Sequence, residues 1–242
     1  MNNSKEKLVR FIEKYSLQGK IDSAVLTIEN KNLSTLFKTV EGDLVGRISM
    51  SDVKLESNQL GIYTTASLLK MLSILEGNIT VEYIKGVDDK VKTLVIRDVL
   101  NKKIKYATCN LEIIDSDVKW VKTFDKDIKI KLEKNLINDI LKASSAINSK
   151  GITFLNRDSK LYLIYNYSEG NDDQIELEID AEIIDDNFES MTFDLSNFKS
   201  IIEVNSKKYE EAELIICSKG FAYISFKDED SFAEYLLIKF KD

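Results

Sequence analysis

The densest run of ionisable side chains is "EGNDDQIELEIDAEIIDDNFE", residues 169–189, with ten Asp and Glu and no basic residue. Crowded carboxylates can hold a divalent cation or divide general-acid and general-base work between them. Here, however, the acids alternate with Ile and Leu over "IELEID", as in a strand with one solvated face, and no Asp-x-Asp-x-Asp-Gly loop occurs. The chain has no histidine. That removes the commonest general base, the commonest zinc ligand and the third member of most Ser or Cys nucleophile systems. Cys109 and Cys217 lie far apart with no CxxC spacing, which suits two small half-buried hydrophobes better than a disulfide or a metal site. The nine glycines fall singly at turns, so no loop is built to cradle phosphate. The residue inventory argues against an enzyme and implies no metal or other cofactor.

The elements that carry the remaining polar side chains repeat along the chain. Residues 63–77, "YTTASLLKMLSILEG", set Leu68, Met71, Leu72 and Leu75 at the spacing of one buried helix face. Thr64 or Thr65 is placed to cap the start, and Gly77 to end the helix. "SKEKLVRFIEKYS" (4–16) does the same with Leu8, Phe11, Ile12 and Tyr15. So do "EKNLINDILKASSAIN" (133–148), with Leu136, Ile137, Ile140, Leu141 and Ile147, and "DLSNFKSIIEV" (194–204), with Leu195, Phe198, Ile201 and Ile202.

Each helix is followed by two runs rich in Val, Ile, Leu, Tyr, Phe and Thr, the signature of an antiparallel hairpin. They are "SAVLTIE" and "LSTLFKTV", "NITVEYI" and "KVKTLVIRD", "GITFLN" and "KLYLIYNY", then "AELIICS" and "FAYISFKDED". Further strands fit "LVGRISM", "NQLGIY", "IKYATC", "DIKIKL", "QIELEID" and "EYLLIKF". With no proline, the turns rely on Asn, Asp, Gly and Ser, as in "NKN" (30–32), "GVDD" (86–89), "NRDS" (156–159) and "KDED" (227–230).

A chain of 242 residues and 27.7 kDa has room for two domains of ordinary size. Helices one and two start about sixty residues apart, as do three and four, so the half-repeat is about 125 residues. We expect an α+β protein with domains at 1–115 and 128–242, joined by a connector at 116–127, each with two helices packed on antiparallel sheet. At 43% hydrophobic and 31% charged residues the composition is that of a globular protein. Its apolar runs are too short to span a bilayer, and "MNNSKEKLVRF" lacks the features of a signal peptide, so a cytoplasmic location is expected.

This organisation resembles the DNA polymerase sliding clamps, the processivity-factor family that includes PCNA and the clamps of T-even bacteriophages. The segment "RISMSDVKLESNQLGIYTTASLLKMLSIL" (47–75) carries the resemblance most closely: strand, "SD" turn, strand ending in Ile-Tyr, then a Leu-rich helix. "IKLEKNLINDILKASSAI" looks like the start of the family's second domain, and "GFAYISFKDEDSFAEYLLIKF" like its final hairpin. The connector departs from the pattern in lacking the prolines some relatives carry there.

The resemblance implies a DNA-clamp fold, a ring of six similar domains around duplex DNA, and no chemistry. Two domains per chain imply a homotrimer of about 83 kDa, three times 27.7 kDa. It also implies three partners: double-stranded DNA held without sequence preference, a DNA polymerase, and an ATP-dependent clamp loader. No membrane partner is implied, and the phage likeness implies a viral protein acting in the host cytoplasm. The net charge of −7, from 34 basic and 41 acidic residues, should repel DNA overall, so a clamp needs its cations on the helix faces that line the hole.

The helical wheels offer Lys7, Arg10 and Lys14 on helix one beside Glu6 and Glu13, and Lys70 on helix two. Helix three offers Lys134, Asn138, Lys142, Ser145 and Ser149 with no acid in that stripe. Helix four offers Ser196, Ser200, Lys199 and Lys207, with Glu203 against the trend. Lysines on an outer helix face are also what ordinary solvation gives. For the family's client groove the matching residues are Leu44, Val45, Val118, Trp120, Val121, Leu237 and Ile238; Trp120 alternatively just packs under the connector. Edge strands that would join subunits are sought in 92–98 and 160–167. The alternative is a non-catalytic structural or assembly protein built from a duplicated α+β interaction domain. A hydrolase working through residues 169–189 is a third class, which would need a metal or a raised carboxylate pKa.

Overall fold

Two hairpins at equivalent places in the chain turn through the same local geometry. Asn30 and Lys31 have φ of 50° and 63°, and Asp158 and Ser159 have φ of 55° and 60°. Positive φ at both central residues makes the tight two-residue turn whose twist matches that of its strands, and Asn and Asp tolerate it best. The computed structural model describes residues 3–115, 117–121, 123–168, 170, 173–184, 188 and 190–240. Residues 169, 171, 172, 185–187 and 189 of the acidic run, and 116 and 122 of the expected connector, lie outside the described residues.

The first series of elements is β1 (Asn3–Ser4), α1 (Lys5–Ser16), β2 (Ala24–Glu29), β3 (Asn32–Lys38), β4 (Leu44–Met50) and β5 (Asn58–Ile62). It continues with α2 (Thr65–Ser73), β6 (Asn78–Lys85), β7 (Val91–Asp98) and β8 (Lys103–Ala107). The second series is β9 (Ile128–Lys131), α3 (Lys134–Ala146), β10 (Gly151–Arg157), β11 (Lys160–Tyr165), β12 (Ile175–Ile179), β13 (Glu182–Ile183) and β14 (Ser190–Asp194). It closes with α4 (Leu195–Asn205), β15 (Glu211–Cys217), β16 (Phe221–Lys227) and β17 (Ser231–Ile238). Apart from β13 the two series match element for element, and so does the pairing. Strand orders β1-β6-β7-β8 and β4-β3-β2-β5 in the first answer to β9-β15-β16-β17 and β12-β11-β10-β14 in the second.

The chain divides into two compact units. Unit 1 comprises Met1–Thr39, Gly46–Lys119 and Asp230–Ala233; unit 2 comprises Val40–Val45, Trp120–Glu229 and Glu234–Asp242. In unit 1, α1 lies beside α2 and buries Phe11, Ile12 and Tyr15, the Tyr15 ring resting 6.3 Å from that of Phe37 on β3. In unit 2, α3 lies beside α4, whose Phe198 meets Phe154 of β10 edge to face at 6.0 Å. Each unit is thus two helices packed on antiparallel sheet, the architecture expected.

Helix boundaries differ from the spacing in two places. α2 ends at Ser73 rather than near Gly77, yet Leu75 is still fully buried. The carboxylate of Asp98 explains the early stop, because it accepts N–H bonds from Glu76 (2.9 Å), Leu100 (2.9 Å) and Lys102 (2.8 Å), satisfying the chain where the helix has let it go. Burial pushes that carboxyl pKa up, but the N–H donors outweigh it and hold it below its ordinary value. α3 likewise stops before Ile147, whose backbone is extended. The expected edge strands are also corrected. Residues 92–98 lie in β7 and 160–167 begin with β11, and both strands are interior to their sheets. Their hydrophobic density marked two-sided burial, not an edge. The end strands of the three sheets are β1 and β8, β12 and β14, and β13 and β5.

Candidate nucleic-acid interface and partner groove

α1 is capped by Ser4, whose Oγ accepts the Lys7 N–H at 3.4 Å. Its outer side carries half-exposed Arg10 and Lys7, and the Lys7 ammonium is ion-paired with Asp230. Lys14 does not share that stripe. It is 3% exposed, and its Nζ donates to Ser231 Oγ at 2.7 Å. Asp230 and the start of β17, 230–233, belong to unit 1 and cover α1 on a second side, which no helical wheel of α1 alone reveals. Lys70 on α2 is exposed.

On α3, Lys134, Asn138, Lys142 and Ser145 are all exposed along one stripe. The stripe is not free of acid, because Asp139 stands 3.9 Å from Lys142. Ser149 lies past the helix and serves the backbone, donating to Gly151 O at 2.6 Å and accepting the Asn166 N–H at 2.9 Å. On α4, Lys199 reaches across to Ser145 of α3, Nζ to Oγ 3.2 Å, with Glu203 at 3.8 Å. Ser200 is buried, its hydroxyl donating to Ser196 O at 2.8 Å, so it is not on the outer face. Lys207 is exposed but sits in the turn after α4.

The proposed groove residues separate by strand alternation. Neighbours along a strand point to opposite faces, so only one of each adjacent pair can line a surface groove. Leu44 and Leu237 are fully buried in unit 2 and are core residues, not groove walls. Their neighbours face out: Val45 is half-buried, and Ile238 is 37% exposed. The Ile238 N–H donates to Asp43 O at 2.8 Å, which brings the two strand ends together, and the Asp43 carboxylate accepts from Asn197 Nδ2 at 2.7 Å. Trp120, half-buried, and Val121, 43% exposed, belong to the same unit, whereas Val118 belongs to unit 1. Exposed Val40 and Phe240 of unit 2 add apolar surface that spacing did not single out.

The connector is pinned at both ends. In unit 1, Lys38 Nζ lies 2.9 Å from Asp115 Oδ2 and donates to Asp117 O at 3.2 Å, holding the Asp115 carboxyl below its ordinary pKa. In unit 2, the Phe124 ring packs 5.3 Å from Phe221 and 5.2 Å from Tyr223, and the Asp127 carboxylate accepts the Ser218 N–H at 2.6 Å. Phe124, which spacing does not single out, is an aromatic anchor of the connector. Only the aromatics of β16 mark it in sequence.

The acidic run is solvated where it is described, but its strand is also paired. On β12, Glu176 and Glu178 are exposed and meet Arg157 (2.7 Å) and Lys160 (2.8 Å) of the β10–β11 hairpin. Among the described residues no group of three or more His, Cys, Asp or Glu could hold a metal ion, and no helix is long and apolar enough to cross a membrane.

A helix pair on antiparallel sheet, made twice over in one chain with matching strand order, is the DNA-clamp fold. Solved structures that share it include the proliferating cellular nuclear antigen (PCNA) of Entamoeba histolytica, with TM-score 0.75 and 16% identity over 99% of this chain and 97% of that one. The PCNA2–PCNA3 complex of Sulfolobus tokodaii matches at 0.74 and 15% over 99% of each chain, and Thermococcus kodakaraensis PCNA at 0.73 and 13% over 98% of each. At these identities the likeness is one of fold. No protein-family model matches the sequence, and no curated protein does.

Proposed function

We propose that this chain is a sliding clamp: three copies close into a homotrimeric ring around duplex DNA and tether the replicative polymerase. The observation that carries this reading is a clamp fold matched over 99% of the chain, with no second fold left over. An ATP-dependent loader opens the ring. The likeness of residues 47–75 to T-even phage clamps supports a viral source and action in the host cytoplasm.

The duplication supports a rule for ring closure. β4 occupies in its series the place β12 occupies in the second, and β17 the place of β8. β4 and β17 are neighbours in this chain, held at their ends by Ser51 N–H to Asp230 O (2.8 Å) and Ile238 N–H to Asp43 O (2.8 Å). By the same rule β8 of one copy pairs with β12 of the next. Charge favours that match, since Lys103 and Lys105 project from β8 and Glu176 and Glu178 from β12. Of the other sheet ends, β14 is met by the Phe193–Lys239 bridge and β5 by the Gly61–Cys109 bridge, while β1 and β13 are only two residues long. Ile74, Val99 and Leu100, each 60% exposed, flank the start of β8 and give the contact an apolar side.

In this reading Lys7, Arg10, Lys70, Lys134, Lys142 and Lys199 face phosphates without reading bases, with Lys207 beside them. Val45, Val121 and Ile238 seat an apolar anchor of the polymerase's peptide. The test is the solution mass by light scattering across a concentration series. A species near 83 kDa, three times 27.7 kDa, supports the ring. A strict monomer or a dimer leaves it open and favours the duplicated assembly module instead.

A further inference from the structure

Two cations on the helix faces of unit 2 each have a carboxylate about one turn away. Lys142 has Asp139 one turn back at 3.9 Å, and Lys199 has Glu203 one turn on at 3.8 Å. The Lys199–Ser145 bond at 3.2 Å ties the two helices, so both pairs lie on one α3–α4 surface. In unit 1, Lys7 is held by Asp230 in the same fashion. As stabilising contacts such half-exposed pairs contribute little, so their worth to the fold does not explain them.

We infer that Asp139 and Glu203 are counterweights: they hold down the attraction of the α3–α4 surface for duplex DNA, so that it guides the duplex without gripping it. This rests on the clamp reading above. A phosphate approaching Lys142 or Lys199 meets a carboxylate within a few ångströms of the ammonium, which screens the cation and lowers the number of counterions released on contact. Cations alternating with acids give a shallow potential along the duplex, where unopposed lysines would give a series of deep wells. Overall net charge cannot do this, because it acts equally at every point.

The experiment measures the affinity of the full-length protein for a fluorescent linear duplex over a salt series, in three variants. In Asp139→Asn/Glu203→Gln, affinity should tighten about three- to tenfold, and the log–log salt dependence should steepen by about 1 to 2. Lys142→Gln/Lys199→Gln should loosen binding and flatten the dependence. Glu211→Gln removes one acid from an exposed pair with Lys227 on the β15–β16 hairpin and should change neither. If the two lysines matter and the two carboxylates do not, the counterweight is overturned while the clamp reading stands. An equal gain from Glu211→Gln would reduce the effect to net charge and overturn it as well. If neither the lysine nor the carboxylate variant alters binding, the DNA-facing assignment fails, and this inference with it.

Discussion

The phenol of Tyr235 and the amide of Asn205 meet at 2.9 Å, each fully buried. Asn205 is the last residue of α4 and Tyr235 lies mid-strand on β17, and Asn205 Nδ2 also donates to Ile201 O at 2.8 Å. Removing the phenol takes one of two acceptors from the amide, whereas removing the amide takes a donor from the buried phenol, frees the Ile201 carbonyl and opens a hole. Tyr235→Phe is therefore expected to cost about 1 kcal/mol and Asn205→Ala about 2–4 kcal/mol. Denaturant midpoints at constant slope check the order.

The same helix shows why much of the fold was legible in sequence. In α4, Leu195, Phe198, Ile201 and Ile202 are all buried where spacing placed them, and Asp194 caps the start by accepting the Asn197 N–H at 2.7 Å. Such local periodicity reports on one element at a time. What spacing could not reach were contacts made by distant chain: the start of β17 that covers Lys14, the Asp98 carboxylate that ends α2 early, and the place of β7 and β11 inside their sheets. β14 is not marked by spacing because "SMTFD", though it alternates, offers only Met191 and Phe193 as apolar signal directly after the acidic run. Apolar character alone does not tell buried Leu44 and Leu237 from their outward-facing neighbours Val45 and Ile238.

Ring closure through β8 and β12 predicts a charge effect on mass. Lys103→Glu/Lys105→Glu sets like charge against Glu176 and Glu178, so the trimer should fall to monomer in light scattering at low salt. Mixing that variant with Glu176→Lys/Glu178→Lys should restore larger species, because each then offers the other a complementary edge. A trimer unmoved by either change would place the subunit contact on other strands.

Lys14 separates burial from DNA contact. Lys14→Met exchanges the ammonium on Ser231 for an apolar side chain of similar length. Duplex affinity and its salt dependence should stay within twofold, with stability within about 1.5 kcal/mol. Lys134→Gln on the open stripe of α3 should do the reverse, weakening binding and lowering the salt slope by about 0.9 while stability holds.

Alkaline pH tests the core of unit 2. Tyr165 is fully buried, its hydroxyl donating to Ile140 O at 3.0 Å, and burial pushes its pKa up from 10.0 to about 12. The folded state thus binds the proton more tightly than the unfolded chain. Its contribution to stability is whole below pH 10 and is lost as pH rises from 10 to about 12. Denaturant midpoints from pH 9 to 12 should fall less steeply in Tyr165→Phe than in the parent. Equal slopes would mean that Tyr165 ionises in the fold as freely as in the unfolded chain.

The groove can be told from the core beneath it, because the two residue types alternate along the same strands. Val121→Ser/Ile238→Ser alters only exposed side chains, so mass and thermal midpoint should hold. With loader and cognate polymerase on primed circular DNA, however, product length should fall toward that seen without the clamp, since an apolar anchor loses its seat. Leu237→Ala, one residue away and fully buried, should instead cost about 2–5 kcal/mol of stability. At temperatures where that variant is still folded, its effect on product length should be small. Normal product lengths from the serine variant would show that the polymerase docks elsewhere, leaving the ring itself untouched.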